Sequence, residues 1–309
     1  MILNYILYSL IFPGLLFTLV LGLVVGWVER KVSARVQFRV GPPFLQNFYD
    51  IFKLFGKETI LIKNSPYVIF LLAPIIAFAT VALSSTILGT ATFFHSGIGG
   101  DLILIIYLLV IYSVCVILGA SSTGNIYSST GASREIKLLL SDELAFILVA
   151  LIAIIKSGYQ INLTGIISYQ ASNGAIIGSL SGIIAFIIGI LVIQAKMTLQ
   201  PFDIPEAETE IVDGTFIEYS GPLLAFWKMA HYMMFVLLPM LLIVLFLGGI
   251  KLTVWGIIAG ILKYLVIVVI IILIKNTNPR VRIDSALNFF WKYASPIAFV
   301  GVILAILGL

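Results

Sequence analysis

Six carboxylates are crowded into one short segment of the chain, residues 200–221. They are Asp203, Glu206, Glu208, Glu210, Asp213 and Glu218. The apolar residues among them are Phe202, Ile204, Ile211 and Phe216. This interleaving favours partial burial over a fully solvated acidic loop. Carboxylates that crowd together in a low dielectric have raised pKa values and exchange protons near neutral pH. The segment is therefore predicted to take part in proton movement.

Pro205 is placed to open a short helix in this segment, because a proline lacks the N–H that the first helical turn does not use. Glu206 and Glu210 then stand four residues apart on one face, and Asp213 continues the row. Like charges at this spacing repel each other. The row therefore needs cationic partners or a wet cavity, and we expect arginines of the first long loop to supply the charge.

Other ionisable residues fall within or beside long apolar segments. Asp142 and Glu143 open the fourth segment, Lys228 and His231 lie three residues apart on one face of the sixth, and Lys263 is near the middle of the seventh. A charge in mid-bilayer normally faces the bundle interior or water. We expect a charge or proton relay that leads from the acidic segment through Glu143, Lys228, His231 and Lys263.

The position of each charge along its segment separates the members of this relay. The charges at the ends of segments have an alternative interpretation, in which they simply reach the membrane surface. Lys263 is some ten residues from either end of its segment, about 15 Å at 1.5 Å per residue, and cannot easily do so. Replacing Lys263 by Met is therefore expected to uncouple transport.

The first long loop carries a mixture of both charges. Its candidate cavity and docking residues, taken with two in the last long loop, are Glu29, Arg30, Arg35, Arg39, Asp50, Lys53, Arg280 and Arg282. Phe48, Phe52 and Phe55 recur at helical spacing, with Asp50 and Lys53 on the other face. This pattern predicts an amphipathic helix at the membrane interface. It is either an anchor held by anionic lipid or the wall of a cavity at headgroup level.

The composition requires a membrane to position these residues. The chain has 309 residues, of which 61% are hydrophobic and 10% charged, whereas soluble domains are nearer a quarter charged. Segments of about 20 apolar residues span a bilayer. The candidate spans are 4–28, 67–89, 102–120, 143–157, 175–195, 222–248, 253–274 and 294–309. We predict an all-α membrane protein, one polytopic domain over 1–309, with about eight transmembrane helices and long cytoplasmic loops.

The basic residues predict the orientation. Fourteen lysines and arginines fall in the loops on one side and two, Lys156 and Lys251, on the other. Basic loops stay in the cytoplasm, so both termini are expected on the outer side of the cell membrane. The first basic residue is Arg30, so the first span lacks the positive region of a cleaved signal and is expected to be retained. The long charged cytoplasmic loops are suited to docking a soluble partner.

The sequence offers no site for catalysis or metal binding. Cys115 is the one cysteine, and the two histidines, His95 and His231, are far apart. One thiol cannot hold an iron–sulfur cluster, and the phosphate-binding and zinc-binding motifs are missing. We therefore expect no redox centre in this chain and no nucleic-acid partner. If the function is redox, a partner holds the electrons.

Four blocks of this sequence, in order, resemble the H subunit family of complex I (NADH–quinone oxidoreductase; mitochondrial subunit 1). The family has relatives in membrane-bound hydrogenases and sulfane sulfur reductases. The blocks are Glu29–Glu58, Ser141–Glu143, Pro201–Gly221 and Pro279–Lys292. The resemblance implies a subunit at the joint between a hydrophilic redox arm and a membrane arm. The residues it carries over are Arg30, Arg39, Asp50, Lys53, Glu143, Asp203, Glu206, Glu208, Glu210, Asp213, Glu218, Arg280 and Arg282.

Two departures from the quinone-reducing pattern resemble the hydrogenase branch. The segment Gly41–Gln46 is compact, and Lys228 and His231 stand where complex I members usually lack a lysine and carry a glutamate. The resemblance then implies a ferredoxin-dependent complex that reduces protons or a sulfur compound. Its implied partners on the cytoplasmic side are hydrophilic hydrogenase-like subunits that carry iron–sulfur clusters, with or without NiFe. Its implied partners in the membrane are antiporter-like subunits and lipid.

Two other functions stay open at this point. One is the quinone-chamber subunit of a complex I-type oxidoreductase. The other is a stand-alone secondary ion transporter, whose usual sign is an internal repeat with matched broken helices. No such repeat is visible in the sequence.

Overall fold

The computed structural model describes residues 7–62, 66–97 and 100–309, and within them every regular element is helical. The predicted all-α membrane fold is confirmed. Lys63 and the first residues of the predicted first span, 4–6, lie outside the described residues. The helices are α1 Leu15–Val36, α2 Gln46–Phe55, α3 Tyr67–Phe93, α4 Asp101–Ser121, α5 Ile126–Lys156, α6 Leu163–Asn173, α7 Leu180–Lys196, α8 Glu208–Ile211, α9 Gly221–Phe246, α10 Val254–Thr277, α11 Ile283–Phe289 and α12 Ser295–Ile306.

Seven helices of the described residues are long and apolar enough to cross a membrane. They are Leu7–Val36, Tyr67–Phe93, Asp101–Ser121, Ile126–Lys156, Gly221–Phe246, Val254–Thr277 and Ile283–Ile306. The apolar helix α7 is shorter, with 17 residues, or about 25 Å of rise. Together they agree with the prediction of about eight spans. We call the side that carries Gln37, Asn125, the segment after α7 and Asn278 the basic side.

The fourth span extends much further than its hydropathy predicts. The sequence places this span at 143–157 with a loop before it, but α5 begins at Ile126. The expectation that Asp142 and Glu143 open the span is therefore wrong, because they lie in the middle of a 31-residue helix. The polar first half of α5 stays helical because Asn125 caps it by accepting a hydrogen bond from the Tyr127 N–H.

Two other connections also differ from the prediction. The final span runs through Ile283–Ile306, with one widened turn at Phe290–Ala294, and does not begin at 294. The loop expected over 275–293 therefore shrinks to a few residues around Arg280. On the opposite side, the segment 158–174 is not a plain loop, because it contains α6.

Gln170 of α6 ties together backbone groups on the opposite side of the bundle. Its side chain is 3% exposed, and its amide nitrogen donates to the Val244 and Leu245 carbonyls at 2.8 and 3.3 Å. Its amide oxygen accepts from the N–H groups of Gly248 and Ile176 at 2.9 and 3.3 Å. One buried amide therefore satisfies four backbone groups where α9 ends, and it ties α6 across that end.

Helix α9 lies at the centre and is the most buried of the spans. A Cβ at Gly22 of α1 would lie 2.4 Å from the Tyr232 carbonyl oxygen, so the glycine lets α1 and α9 approach closely. On the basic side α1 is tied to α10, where the Lys275 ammonium lies 2.8 Å from Glu29 and Asn276 donates to Ser33 at 3.0 Å.

The predicted interfacial helix is present as α2. Its protein-facing side is formed by Asn47, Ile51 and Leu54, which are buried, whereas Phe52 is 72% exposed and Phe55 is also exposed. The Asn47 side chain donates to the Leu23 carbonyl of α1 at 2.8 Å. The helix therefore has one face on the bundle and presents aromatic residues outward, as an interfacial helix does.

Candidate functional site

The segment Met197–Ser220, here called the acidic loop, folds back into the bundle on the basic side of the short helix α7. Phe202, Ile204 and Ile211 are buried, so the predicted partial burial is confirmed. A glycine in α5 makes room for the loop, because a Cβ at Gly131 would lie 2.9 Å from the Thr215 nitrogen. The loop therefore packs on α5 at a position where a side chain does not fit.

The only regular α-helix within the described acidic loop is the short α8, and this changes how the carboxylates are arranged. Glu206 lies before α8, and Val212 and Asp213 have positive φ angles of 52° and 69°, which end it. The predicted row of Glu206, Glu210 and Asp213 on one helical face is therefore wrong. Glu206 is half-buried, whereas Glu210 is exposed on the outer surface.

Two arginines bind the carboxylates of the loop that lie nearer the protein surface, Asp203 and Glu210. Arg280 donates to Asp203 at 2.6 Å and to the Thr209 hydroxyl at 2.9 Å. Arg134 of α5 donates to Glu210 at 2.7 Å and to the Ile204 carbonyl at 3.2 Å. The cationic partners therefore come from α5 and the last connection, and not from the first long loop.

Glu206 is the innermost carboxylate of the loop and accepts a hydrogen bond from the Thr198 hydroxyl at 2.7 Å. Burial raises the pKa of Glu206 to about 8, and the negative charges of Asp203, Glu135 and Asp213 act in the same direction, whereas the Thr198 hydrogen bond opposes them. Burial also raises the pKa values of Asp203 and Asp213. With a pKa of about 8, Glu206 is largely protonated near neutral pH, and the pKa values of Asp203 and Asp213 shift in the same direction.

A second cluster of charges lies deeper, between α5 and α7. Lys196, the last residue of α7, holds its ammonium 2.6 Å from Glu143 and 3.4 Å from Asp142. The Lys196 and Asp142 side chains are each 3% exposed, and the ammonium also lies 5.0 Å from the centre of the Phe146 ring. Two adjacent carboxylates thus share one buried cation. We call Glu135, Asp142, Glu143 and Lys196 the α5 cluster.

Three carboxyl oxygens of the α5 cluster have no hydrogen-bond partner among the described residues. They are Glu135 Oε2, Asp142 Oδ1 and Glu143 Oε1. Buried polar atoms in proteins are nearly always satisfied, by protein or by ordered water. These oxygens are therefore suited to accept hydrogen bonds from water.

The acidic loop and the α5 cluster are electrostatically connected. Tyr112 of α4 lies within interaction range of both Glu206 and Glu135, and Glu135 in turn interacts with Asp142 and Lys196. Sequence reasoning missed Glu135 and Tyr112. The signal for Glu135 was its spacing, since Glu135 and Asp142 are seven residues, or two helical turns, apart on α5.

A polar cavity of about 220 Å³ lies beside Glu206, between α1, α9 and the end of α10. Its polar walls are formed by Glu29, Arg30, Glu206, Asp213, Lys228, His231, Tyr232 and Lys275. Arg30 also lies 3.1 Å from Asp50 of α2, which connects the interfacial helix to this wall. The structure therefore brings together members of the predicted relay and of the predicted docking set.

Several other predicted residues lie elsewhere. Glu218 accepts a hydrogen bond from Asn125 at the start of α5. Lys263 is far along α10 from this site, and its ammonium donates to the Leu247 carbonyl at 2.6 Å, where α9 ends. Five residues are exposed and form no ion pair within the described part of the chain. They are Arg35, Arg39, Lys53, Glu208 and Arg282.

The family model for NADH dehydrogenase matches residues 9–306. The H subunit of NADH-quinone oxidoreductase from Anoxybacillus flavithermus is 34% identical over 97% of this chain and 93% of its own length. The corresponding protein of Geobacillus thermodenitrificans is 32% identical, over 94% of this chain and 91% of its own length.

A solved structure extends the comparison to three dimensions. A chain from the membrane-bound sulfane sulfur reductase (MBS), an archaeal respiratory membrane complex, superposes with a TM-score of 0.88 at 28% identity. The match covers 98% of this chain and 99% of that one. With family match, relatives and fold in agreement, this chain belongs to the NADH dehydrogenase family, as a homologue of the H subunit of NADH-quinone oxidoreductase and a multi-pass membrane component of an oxidoreductase complex.

Proposed function

We propose that this chain anchors a peripheral iron–sulfur redox arm to the membrane and couples its electron transfer to ion movement in the membrane arm. The observation that carries the proposal is the series of carboxylates from Asp203 and Glu206 to the α5 cluster. The outer end of this series lies on the charged basic side, which we propose faces the cytoplasm and the redox partner, with both termini on the other side of the cell membrane.

The proposed transfer begins at the polar cavity. If a partner's redox centre docks near the wall that contains Arg30, Lys228 and His231, the negative charge it would gain on reduction would favour proton uptake by Glu206. Tyr112 and Glu135 interact electrostatically with Glu206 on one side, and Glu135 interacts with Asp142 on the other. Asp142 in turn interacts with its neighbour Glu143. Each change in protonation alters how the Lys196 ammonium is divided between its two carboxylates.

The α5 cluster supports a role in which this chain transmits charge to its partners. It does not require this chain to conduct ions across the whole membrane by itself. On the opposite side Gln170 ties α6 over the end of α9, and no ionisable side chain takes part in that contact. A stand-alone transporter would need a polar path that opens on both sides in turn. We therefore propose that charge passes laterally from Glu143 to antiporter-like membrane subunits.

The similarity to a sulfane sulfur reductase supports a ferredoxin-dependent complex of the sulfur-reducing or hydrogenase type. Lys228 and His231 line the cavity beside Glu206, where Lys228 adds a positive charge and His231 adds bulk. We propose that iron–sulfur clusters, with or without NiFe, belong to hydrogenase-like partner subunits. The described residues of this chain contain no group of three His, Cys, Asp or Glu side chains arranged to hold a metal.

Metal analysis of the native complex tests the branch. The complex is purified from its own membranes in mild detergent through a tag on this chain, and iron and nickel are measured per copy of the chain. Iron with nickel supports a hydrogenase-type complex, whereas iron without nickel supports a sulfur compound or a quinone as the electron acceptor. Isolation of this chain alone and metal-free, with ion transport retained in vesicles, would replace the coupling proposal by the transporter.

The coupling role is tested by Glu143→Gln in the assembled complex. We expect electron transfer with reduced ferredoxin to continue, while ion translocation into vesicles falls at least tenfold. Glu208→Gln is the matched control, because Glu208 is exposed and carries no ion pair within the described chain. Equal translocation in the Glu143 variant and the control would contradict the proposal.

The quinone-chamber role is a second candidate, and the relatives that are subunits of NADH-quinone oxidoreductase favour it. It predicts quinone-dependent oxidation of the electron donor by the purified complex. Inhibition of this activity by Lys228→Glu would locate the quinone at the polar cavity. Absence of quinone reduction, with retained reduction of sulfur or protons, would exclude this candidate.

A further inference from the structure

A second and larger cavity lies away from the charged site, between α1, α3, α9 and α10. Its volume is about 590 Å³, which is within the range of ligand-binding pockets. It extends along α1 from Phe17 to Val28, about 16 Å at 1.5 Å per residue. A compact molecule does not need such a length, whereas an extended chain does.

The geometry of two helices creates this cavity. On the basic side α1 and α10 are held together by Lys275 with Glu29 and by Asn276 with Ser33. Toward the opposite side they line the two flanks of the cavity, α10 through the stretch 257–265. The two helices are therefore in contact on the basic side, and the cavity lies between them toward the opposite side.

The described walls of this cavity offer no free hydrogen-bonding side chain. Three side chains on the wall carry a hydroxyl, and each is satisfied within the protein. The Thr18 hydroxyl donates to Gly14 at 2.9 Å, the Ser85 hydroxyl to Ala82 at 2.8 Å, and the Tyr264 hydroxyl to Phe235 at 2.8 Å. An occupant therefore gains nothing from polar groups, and apolar cavities of this kind exclude water.

The rim of the cavity continues into the lipid-facing surface. Leu21 on α1 and Ile257, Ile261 and Leu265 on α10 line the cavity and are also exposed at the outside of the bundle. Among the residues that the structure describes, no charged side chain lines the cavity. A hydrocarbon chain can thus enter sideways from the bilayer without crossing a polar barrier.

We propose that this cavity is a structural lipid site, which holds one long hydrocarbon chain of a membrane lipid between α1 and α10. An unfilled apolar volume of this size would deprive its walls of packing contacts. The bound hydrocarbon chain supplies these contacts and fills the space between α1 and α10. This site is independent of the polar cavity and of the coupling role.

The test compares lipid retention in the assembled complex and three variants. Ile261→Trp and Leu265→Trp place an indole in the cavity, whereas Ile258→Trp is a matched control, since Ile258 is 48% exposed on the same helix but does not line the cavity. Complexes are washed with detergent, and bound phospholipid is counted by native mass spectrometry. We expect the unmodified complex and Ile258→Trp to retain one more lipid per copy than the other two.

A density map of the unmodified complex provides a second measurement that does not depend on variants. Continuous elongated density between Leu21 and Ile261, ending in a headgroup at the rim, would support the site. The proposal is overturned if side chains of a neighbouring subunit fill the cavity, if all four complexes retain the same number of lipids, or if the retained molecule is a quinone.

Discussion

Lys196 and Glu143 form a 2.6 Å ion pair although they are 53 residues apart in sequence and lie on different spans. The same ammonium is 3.4 Å from Asp142 and is almost fully buried. Removing one member of a buried ion pair is destabilising by about 3–5 kcal/mol, because it leaves uncompensated charge. This cation therefore controls both the stability and the charge balance of the α5 cluster.

Lys196→Met is expected to reduce the amount of assembled complex and to abolish most ion translocation. The double variant with Asp142→Asn should recover assembly, because it removes one of the unpaired carboxylates together with the cation. Lys137→Met is the control, since Lys137 is exposed on the same α5 helix. The measurements are complex yield and translocation per electron. Full translocation in Lys196→Met would exclude Lys196 from coupling.

Glu206→Gln is expected to change the pH dependence of the complex. Burial raises the pKa of Glu206 from 4.5 to about 8, so the folded protein holds this proton more tightly than the unfolded chain does. The contribution of this residue to stability therefore falls as pH rises from 4.5 through about 8. Thermal stability of the unmodified complex should therefore decline between about pH 4.5 and about pH 8 and level off above that, and coupled activity should fall as Glu206 loses its proton near pH 8. Glu206→Gln should flatten both profiles. An unchanged profile in the variant would contradict the assignment.

Arg280→Gln is expected to loosen the acidic loop, because Arg280 holds both Asp203 and Thr209. Arg282→Gln is a close control, two residues away, exposed and without an ion pair within the described chain. Limited proteolysis of the loop should become several-fold faster in the first variant only, and retention of the peripheral subunits should fall. Equal proteolysis of both variants would mean that Arg280 does not hold the acidic loop in place.

Lys263→Met distinguishes the sequence-based relay from the structural one. The sequence predicts loss of coupling, whereas the contact with Leu247 puts the ammonium at the far end of α9, away from the α5 cluster. From this contact we expect translocation within about twofold of the unmodified complex, against a loss of at least tenfold for Glu143→Gln. A similar loss in both variants would restore Lys263 to the relay.

The extent to which the sequence anticipates this structure follows from how local each signal is. The apolar spans and α2 are encoded by periodicity within one segment, so they were predictable. The early part of α5 was not, because its polar residues are covered by an acidic loop that follows some 70 positions later. The pairing of Lys196 with Asp142 depends on the same kind of distant packing, and so does the inward orientation of Glu206.

The four hydrogen bonds of the Gln170 side-chain amide have an electrical consequence, if they close this end of the bundle to ions. If charge enters from the basic side and stops at a closed far end, this chain behaves as a capacitor and not as a resistor. Complexes that contain it but lack the other membrane subunits should give a brief displacement current on a single turnover and no steady current. The size of that transient would report how deep into the membrane the charge on Glu143 lies.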